Sequence, residues 1–205
     1  MNFVNSKTEN NKVEVLVKKP SAEEAEEAVR VLLRWAGDNP NREGLIDTPS
    51  RVVKAYKEWF SGYDQEPSSH LTRTFEEVEG YQEIVTLKDI RFESYCEHHI
   101  APIIGKVHLS YIPFKRVVGI SKLARLVDTF AKRLQVQEKM TVQSAKTLQT
   151  ELNPKGVAVL VEGNHHCMCT RGVHKENSIM ITSSYTGEFT QNIDLKNDFH
   201  RLVGK

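Results

Sequence analysis

The sequence has no long apolar run, almost no net charge and few cysteines. A transmembrane helix needs about 20 consecutive apolar residues, and no stretch of this chain approaches that length. The segment from Met1 to Lys19 is polar and lacks the apolar core of a signal peptide, so nothing in it indicates secretion. We therefore expect a cytoplasmic protein that has no membrane partner.

The charge balance excludes a strong overall field. The chain has 28 lysines and arginines against 27 aspartates and glutamates, and a formal net charge of +1 at pH 7. We expect no nucleic-acid partner, because any anion site must come from local clustering of charge. The three cysteines are an odd number, and Cys167 and Cys169 are one residue apart. Thiolates kept reduced for a metal explain this better than a disulfide framework.

The length and composition are those of a globular protein. With 205 residues, of which 39% are hydrophobic and 27% charged, the chain can bury a substantial core. We predict a flexible leader over residues 1–20, an N-terminal helical region over 21–80 and a main domain over 81–205.

Two helices are predicted in the N-terminal region. Ser21 lies three residues before Glu24, which is the spacing of a capping box at a helix start. Thr48 and Pro49 are suited to the N-cap and first position of a second helix. On that helix Arg51 and Lys54 are spaced i,i+3 and so share a face.

The main domain alternates strand and helix patterns. Strands are predicted at 84–87, 90–95, 106–111, 157–161 and 179–189, and helices at 121–134, 137–152 and 195–202. The run 157–161 is continuously apolar, which indicates burial on both faces. His108 falls on the polar face of its strand, and we predict an ordinary strand residue there. The order of elements predicts an α+β fold, an antiparallel sheet with two long helices packed on one face.

Two clusters of cysteine and histidine predict a metal site. Cys96 and His99 form a Cys-x2-His pair, and Cys167 follows His165 about seventy residues later. Zinc prefers sulfur and imidazole donors, and three protein ligands leave the open position of a catalytic site. His98 and His165 are then free to donate and accept protons. The alternative is that these cysteines are buried small side chains with surface histidines nearby.

A basic cluster predicts a polyphosphate pocket. The segment 115–139 carries an excess of five positive charges. Ser121, Lys122 and Arg125 lie at the start of a predicted helix, where backbone N–H groups favour anions, and Arg171 could approach from the strand side. The alternative is a solvated helix face. Nearby, Gln137 and Glu138 could bind a purine edge, although an acidic residue at a helix start is the simpler account.

Four motifs together resemble the GTP cyclohydrolase I family. They are Cys96-Glu97-His98-His99, the segment 119–125, the segment 133–138, and His165-His166-Cys167 with Arg171-Gly172-Val173. They occur in the order and at the spacing of that family, and the resemblance runs from about Ser21 to the last residue.

The resemblance implies a role for each site residue. Zinc would be held by Cys96, His99 and Cys167, and the catalytic residues would be His98, His165 and Ser121. The triphosphate would be bound by Ser121, Lys122, Arg125 and Arg171, and guanine by Glu138 with help from Gln137. Arg51 and Lys54 match a basic pair that reaches a neighbouring subunit's site. Cys169 is expected to be a strand residue and not a ligand.

The resemblance also implies a fold, an assembly and a reaction. The fold is the tunnelling fold, in which subunits join their sheets into rings, and two five-membered rings form a homodecamer. The reaction is the hydrolysis and rearrangement of GTP to 7,8-dihydroneopterin triphosphate and formate, the first step of folate and pterin biosynthesis, without a redox cofactor. A competing hypothesis is a zinc-stabilised oligomer that binds a pterin or nucleotide without turnover.

Overall fold

The computed structural model describes residues 3–4, 17–76 and 80–205. Most of the predicted leader, residues 5–16, lies outside these ranges. Contacts within the chain divide it into two units, Met1–Trp59 and Phe60–Lys205, and each is described by itself.

In the described residues of the first unit there are two short strands and two helices. Strands β1 (Phe3–Val4) and β2 (Val17–Lys18) pair antiparallel. Helix α1 spans Ala22–Trp35 and helix α2 spans Thr48–Trp59. The Ser21 hydroxyl accepts the Glu24 N–H at 3.1 Å, and the Glu24 carboxylate accepts the Ser21 N–H at 2.7 Å. The predicted capping box is therefore confirmed.

The second unit is built on a five-stranded sheet. Two 3-10 turns come first, followed by strands β3–β9 and helices α3–α7. The turns are Ser61–Asp64 and Pro67–Leu71; the strands are β3 Thr74–Phe75, β4 Val85–Cys96, β5 Pro102–Ile112, β6 Val117–Val118, β7 Leu134–Gln135, β8 Gly156–His165 and β9 Met180–Gly187; the helices are α3 Ile120–Ala131, α4 Gln137–Leu152, α5 His166–Cys169, α6 Glu188–Gln191 and α7 Ile193–Val203. The sheet order is β7-β4-β5-β8-β9, all antiparallel except β7, which runs parallel to β4; β3 pairs separately with β6.

The two strands predicted at 84–87 and 90–95 are one strand, β4. Its pairing with β5 shifts register between Leu87 and Ile90, and Asp89 there has a φ of 59°. A bulge of this kind inserts residues that break the alternation of inward-facing and outward-facing side chains. The sequence pattern therefore predicts two strands where there is one.

One face of the sheet packs against the two long helices. Leu126 of α3 and Leu148 of α4 are fully buried in one cluster with Leu109 of β5 and Val159 of β8. Burial of each such side chain contributes roughly 1.5–3 kcal/mol. The predicted α+β class, a largely antiparallel sheet with two long helices on one face, is confirmed.

The opposite face of the sheet is covered by the C-terminal helices. Ala158 and Leu160 of β8 pack there with Phe189 of α6 and Phe199 of α7. Strand β8 is thus buried on both faces, which confirms the interpretation of its apolar run.

His108 lies in strand β5, as predicted, but it is buried and is not an ordinary residue of a polar strand face. His108 is only 2% exposed; its Nε2 lies 3.0 Å from the Glu162 carboxylate, and its Nδ1 accepts the Asp89 N–H at 3.3 Å. On this face of β5, His108 and Ser110 are buried whereas Lys106 is exposed, and burial of the His108 ring is tolerated because both of its nitrogens have hydrogen-bond partners. None of the helices in the described ranges is long and apolar enough to cross a membrane.

Candidate metal centre and active site

The predicted metal ligands lie at the carboxyl ends of two strands, on the same end of the sheet. Cys96 is the last residue of β4, His99 lies in the turn after it, and Cys167 is in α5, directly after β8. Strands β4 and β8 are both antiparallel to β5, which lies between them, so they point the same way and their ends are close. The turn is fixed by Ile100, whose N–H donates to the Cys96 carbonyl at 2.8 Å.

The three side chains converge. One donor atom each from Cys96, His99 and Cys167 lies within 4.8 Å of the other two. Cys96 is buried, Cys167 is half-buried and His99 is exposed. Burial raises the pKa of the Cys167 thiol, and the adjacent Cys96 raises it further. A thiolate at Cys167 therefore needs a cation nearby, and two sulfurs with one imidazole suit zinc.

Two further imidazoles lie beside this cluster. The Nδ1 atom of His98 is 3.6 Å from the Cys96 sulfur, and the His98 ring is exposed. His165 ends β8, is half-buried, and lies with its Nε2 2.9 Å from the Gln137 Oε1. Burial lowers the pKa of His165, although Glu138 acts in the opposite direction. His165 is therefore neutral near pH 7.

Gln137 fixes which nitrogen of His165 carries the proton. Its side-chain Nε2 donates to the carbonyls of Val161 and Met180 at 3.2 and 3.0 Å and lies 3.2 Å from the Thr182 hydroxyl. These acceptors set the orientation of the amide, so its oxygen faces His165. Because an amide oxygen only accepts, Nε2 of His165 carries the proton and Nδ1 has the lone pair.

Gly163 permits this contact, and the sequence reasoning did not single it out. A Cβ on Gly163 would lie 2.3 Å from the Gln137 Oε1, closer than any real contact. Gln137 itself is only 1% exposed. The available signal was a glycine shortly after the apolar run 157–161, because a glycine in a strand often marks the close approach of another group.

The predicted anion cluster lies on α3. Ser121 and Arg125 are exposed and Lys122 is half-buried, all in the first turns of the helix. His70, which the sequence reasoning missed, lies near them: its Nε2 is 2.9 Å from the Thr129 hydroxyl, and its pKa is lowered by burial and then by the charges of Lys122 and Arg125. In the described part of the chain, no hydrogen bond or ion pair joins this cluster to the metal ligands.

The remaining predicted residues lie on other elements. The Nη1 atom of Arg171 is 2.9 Å from the Nε2 of His99, so Arg171 does reach the metal cluster. Glu138 is exposed in the first turn of α4. Arg51 and Lys54 are exposed on α2 in the first unit, where Arg51 pairs with Asp47 at 3.2 Å.

Cys169 is not a strand residue, contrary to the prediction. It lies in the short helix α5, and its sulfur donates to the Asn164 side chain and the His165 carbonyl, both at 3.2 Å. It does not belong to the Cys96–His99–Cys167 cluster. Its hydrogen bonds tie the segment after β8 back onto the strand.

The family model described as GTP cyclohydrolase I matches residues 25–204. A GTP cyclohydrolase 1 of Maricaulis maris is 59% identical over 185 residues, covering 90% of each chain. One of Hyphomonas neptunium is 57% identical over 189 residues, covering 92% of each chain. Among solved structures, an archaeosine synthase of the QueF-like type aligns with a TM-score of 0.42 and 23% identity, over 51% of this chain and 93% of that one.

Proposed function

The chain belongs to the GTP cyclohydrolase I family, and from that premise we propose that it is zinc-dependent and converts GTP to 7,8-dihydroneopterin triphosphate and formate. The observation that carries the proposal is the convergence of Cys96, His99 and Cys167 within 4.8 Å, with His165 held beside them. Such a reaction would open the folate and pterin pathway.

The donor set supports zinc as the metal. Two cysteine sulfurs and one imidazole are soft and borderline donors, which favour zinc over magnesium or calcium. Zinc bound there would supply a nucleophilic water at neutral pH, because it lowers the pKa of water towards about 7.

The neighbouring imidazoles would move the protons of the reaction. His165 is neutral, with its proton on Nε2 directed at Gln137, so its Nδ1 is the atom that exchanges a proton with the substrate. His98, exposed beside Cys96, would be the second proton-transfer group, and Ser121 would assist. Ring opening, rearrangement and ring closure each need proton transfer, which would explain why two imidazoles lie beside the metal site.

The substrate would be held at its two ends. Glu138 is exposed in the first turn of α4 and would accept hydrogen bonds from the guanine N1 and N2 groups. Gln137 was expected to contact guanine too, but its amide is buried and bonded within the protein, so we assign it the positioning of His165. Ser121, Lys122, Arg125 and Arg171 would bind the triphosphate.

The open edges of the sheet support assembly of subunits. Among the residues that the structure describes, β9 is an outer strand of the sheet, and β4 pairs on its outer side only at Tyr95 and Cys96, with β7. Unpaired strand edges pair readily with another chain. We propose that β9 of one subunit pairs with β4 of the next in a five-membered ring, that two rings form a homodecamer, and that Arg51 and Lys54 act in a neighbouring subunit's site.

The free state of Cys96, Cys167 and Cys169 fits a reducing compartment, and we propose a cytoplasmic location.

The oligomeric state is tested by native mass spectrometry of the purified protein. A decameric mass is expected, and a monomer at micromolar concentration would refute the ring.

The reaction is tested by incubating the zinc-loaded protein with GTP and measuring formate and the dihydropterin product together. Equal amounts of both are expected. Formate without the pterin would indicate a hydrolase that stops after ring opening. Bound GTP with neither product would instead favour the competing hypothesis of a non-catalytic nucleotide binder.

A further inference from the structure

The loop between β8 and β9 is closed at its base by one side chain. The backbone pairing of the two strands ends at Gly163 and Met180. Beyond this pair, Nδ2 of Asn164 donates to the carbonyls of Glu176 and Ser178, at 2.8 and 3.3 Å. The Asn164 amide therefore takes the place of a further strand pair and holds the two ends of the loop together.

The oxygen of the same amide is also bonded. The Cys169 thiol donates to Oδ1 of Asn164 at 3.2 Å, and the same sulfur lies 3.2 Å from the His165 carbonyl oxygen. Turning the amide over would place Oδ1 against two carbonyl oxygens, so only one orientation satisfies all three partners. Asn164 thus joins the end of β8, the short helix α5 and the residues 175–178, which we call the far limb of the loop.

Arg171 lies at the middle of this loop. It is seven residues after Asn164 and seven before Ser178, and its side chain is exposed. The backbone turns directly after it, since Gly172 has a φ of 65° and His174 a φ of 50°. Positive φ is uncommon for histidine and persists where the surrounding chain is held in place. The position of Arg171 therefore depends on how firmly the base of the loop is closed.

We propose that Asn164 is a positioning residue for the triphosphate site, whose amide holds the loop so that the Arg171 guanidinium is presented to the anionic ligand. Asn164 does not itself contact the ligand. A loop that is ordered before binding gives higher affinity, because less conformational entropy is lost when the ligand binds. The inference rests on the proposed assignment of Arg171 to the triphosphate.

The Asn164 hydrogen bonds are separate from those that hold α5, the helix that carries Cys167. The N–H and the hydroxyl of Thr170 both donate to the His166 carbonyl, at 3.0 and 2.8 Å. The backbone of Asn164 remains paired with Ile104 of β5 whatever its side chain. Replacement of the Asn164 side chain should therefore loosen the far limb and leave the fold and zinc binding intact.

The first measurement is steady-state formate release from GTP by Asn164→Val. Valine suits a strand but makes none of the three hydrogen bonds. KM for GTP should rise about fivefold and kcat should change by no more than about twofold, because the variant must order a loop and a long side chain on binding. An unchanged KM would overturn the proposal.

Thr170→Val is the matched control. It removes a hydroxyl hydrogen bond from the same segment, next to Arg171, but none of those made by Asn164. Its KM should equal that of the unmodified protein. An equal rise of KM in both variants would show that any loosening of the segment has this effect and would refute a specific role for Asn164.

A double variant shows whether Asn164 acts through Arg171. In an Arg171→Met background, Asn164→Val should raise KM no further, because the residue that it positions is gone. A further fivefold rise would mean that Asn164 acts on another group. Zinc content is measured on the same samples, and its loss in Asn164→Val would show that Asn164 supports Cys167 instead.

The second measurement does not need the reaction. Hydrogen exchange in residues 170–178, followed by mass spectrometry, should be faster in Asn164→Val than in the unmodified protein, with exchange in β8 unchanged. Equal exchange rates in the loop would overturn the proposal.

Binding of inorganic triphosphate to the zinc-loaded protein separates this proposal from the proposed function. It should weaken about fivefold in Asn164→Val, and in Arg171→Met the same replacement should have no further effect. If these results hold and GTP gives no formate, only the proposed reaction fails. If Arg171→Met binds inorganic triphosphate as tightly as the unmodified protein, the assignment of Arg171 and the role of Asn164 both fail.

Discussion

Replacement of Gln137 by Met tests whether this residue orients His165 or contacts guanine directly. Gln137 is 1% exposed, and its amide bridges the N-terminus of α4 to β8, β9 and His165. Methionine has nearly the same length and fills the space beside Gly163, but it neither donates nor accepts these hydrogen bonds.

The expected effects follow from the contacts that are lost. The carbonyls of Val161 and Met180 each lose a donor, at 3.2 and 3.0 Å, and the His165 ring loses its acceptor at 2.9 Å. Losing these hydrogen bonds, of which the one to Val161 is buried and the other two are part-buried, should lower the free energy of unfolding by about 2–4 kcal/mol. A His165 ring free to turn should lower kcat by about 10- to 100-fold with little change in KM, because misplacement of a catalytic group by about 1 Å costs that much.

The assay is steady-state formate release, beside denaturant unfolding. Thr141→Val is the matched control, since the buried Thr141 hydroxyl bonds the Gln137 carbonyl and the Thr182 hydroxyl, both at 2.7 Å, without touching His165. It should lose about 1–2 kcal/mol of stability and keep its kcat. In a His165→Ala background, Gln137→Met should lower kcat no further.

One outcome would refute this reasoning. If Gln137→Met raises KM for GTP and leaves kcat unchanged, then Gln137 contacts guanine directly, as first expected, and does not act through His165. A fall in kcat of the same size in Thr141→Val would mean that loosening of α4 causes the loss.

Three further outcomes are expected. Cys96→Ser should lose bound zinc and formate release together, and full activity in a metal-free sample of that variant would contradict the ligand set. Arg125→Ala should weaken GTP binding by about tenfold and guanosine binding hardly at all, as measured by calorimetry, since one phosphate contact is worth about 1.5 kcal/mol; equal losses would place the triphosphate elsewhere. His70 has its pKa lowered from 6.5 by burial and then by Lys122 and Arg125, so the unfolded state binds the proton more readily and stability falls as the pH drops through about 6.5. His70→Gln should flatten this part of the curve in urea titrations between about pH 7.5 and 5.5, and an unchanged slope would show that other groups control it.

Local sequence patterns determined most of the elements. The capping box at Ser21, the helix over Gln137–Leu152 and the buried strand through Val159 are each decided by neighbours in the chain or by apolar spacing, and the structure confirms them. The prediction failed at the bulge beside Asp89, where the side chains stop alternating between the two faces of the sheet. There the sequence pattern predicted two strands instead of one. It also missed β7, because two residues are too few to show a period.

The sequence by itself also predicted which side chains could serve as metal donors, because residue type decides which atoms can bind zinc. Only the tertiary structure decided that Cys167 lies within 4.8 Å of Cys96, since the order of β4, β5 and β8 brings their ends together. The same holds for the burial of His108 and for the amide of Gln137 against His165. The spacing of apolar residues indicates which face of a single helix or strand is buried. Which polar atoms meet depends on strand register and helix packing between residues far apart in the chain, and no local pattern contains that information.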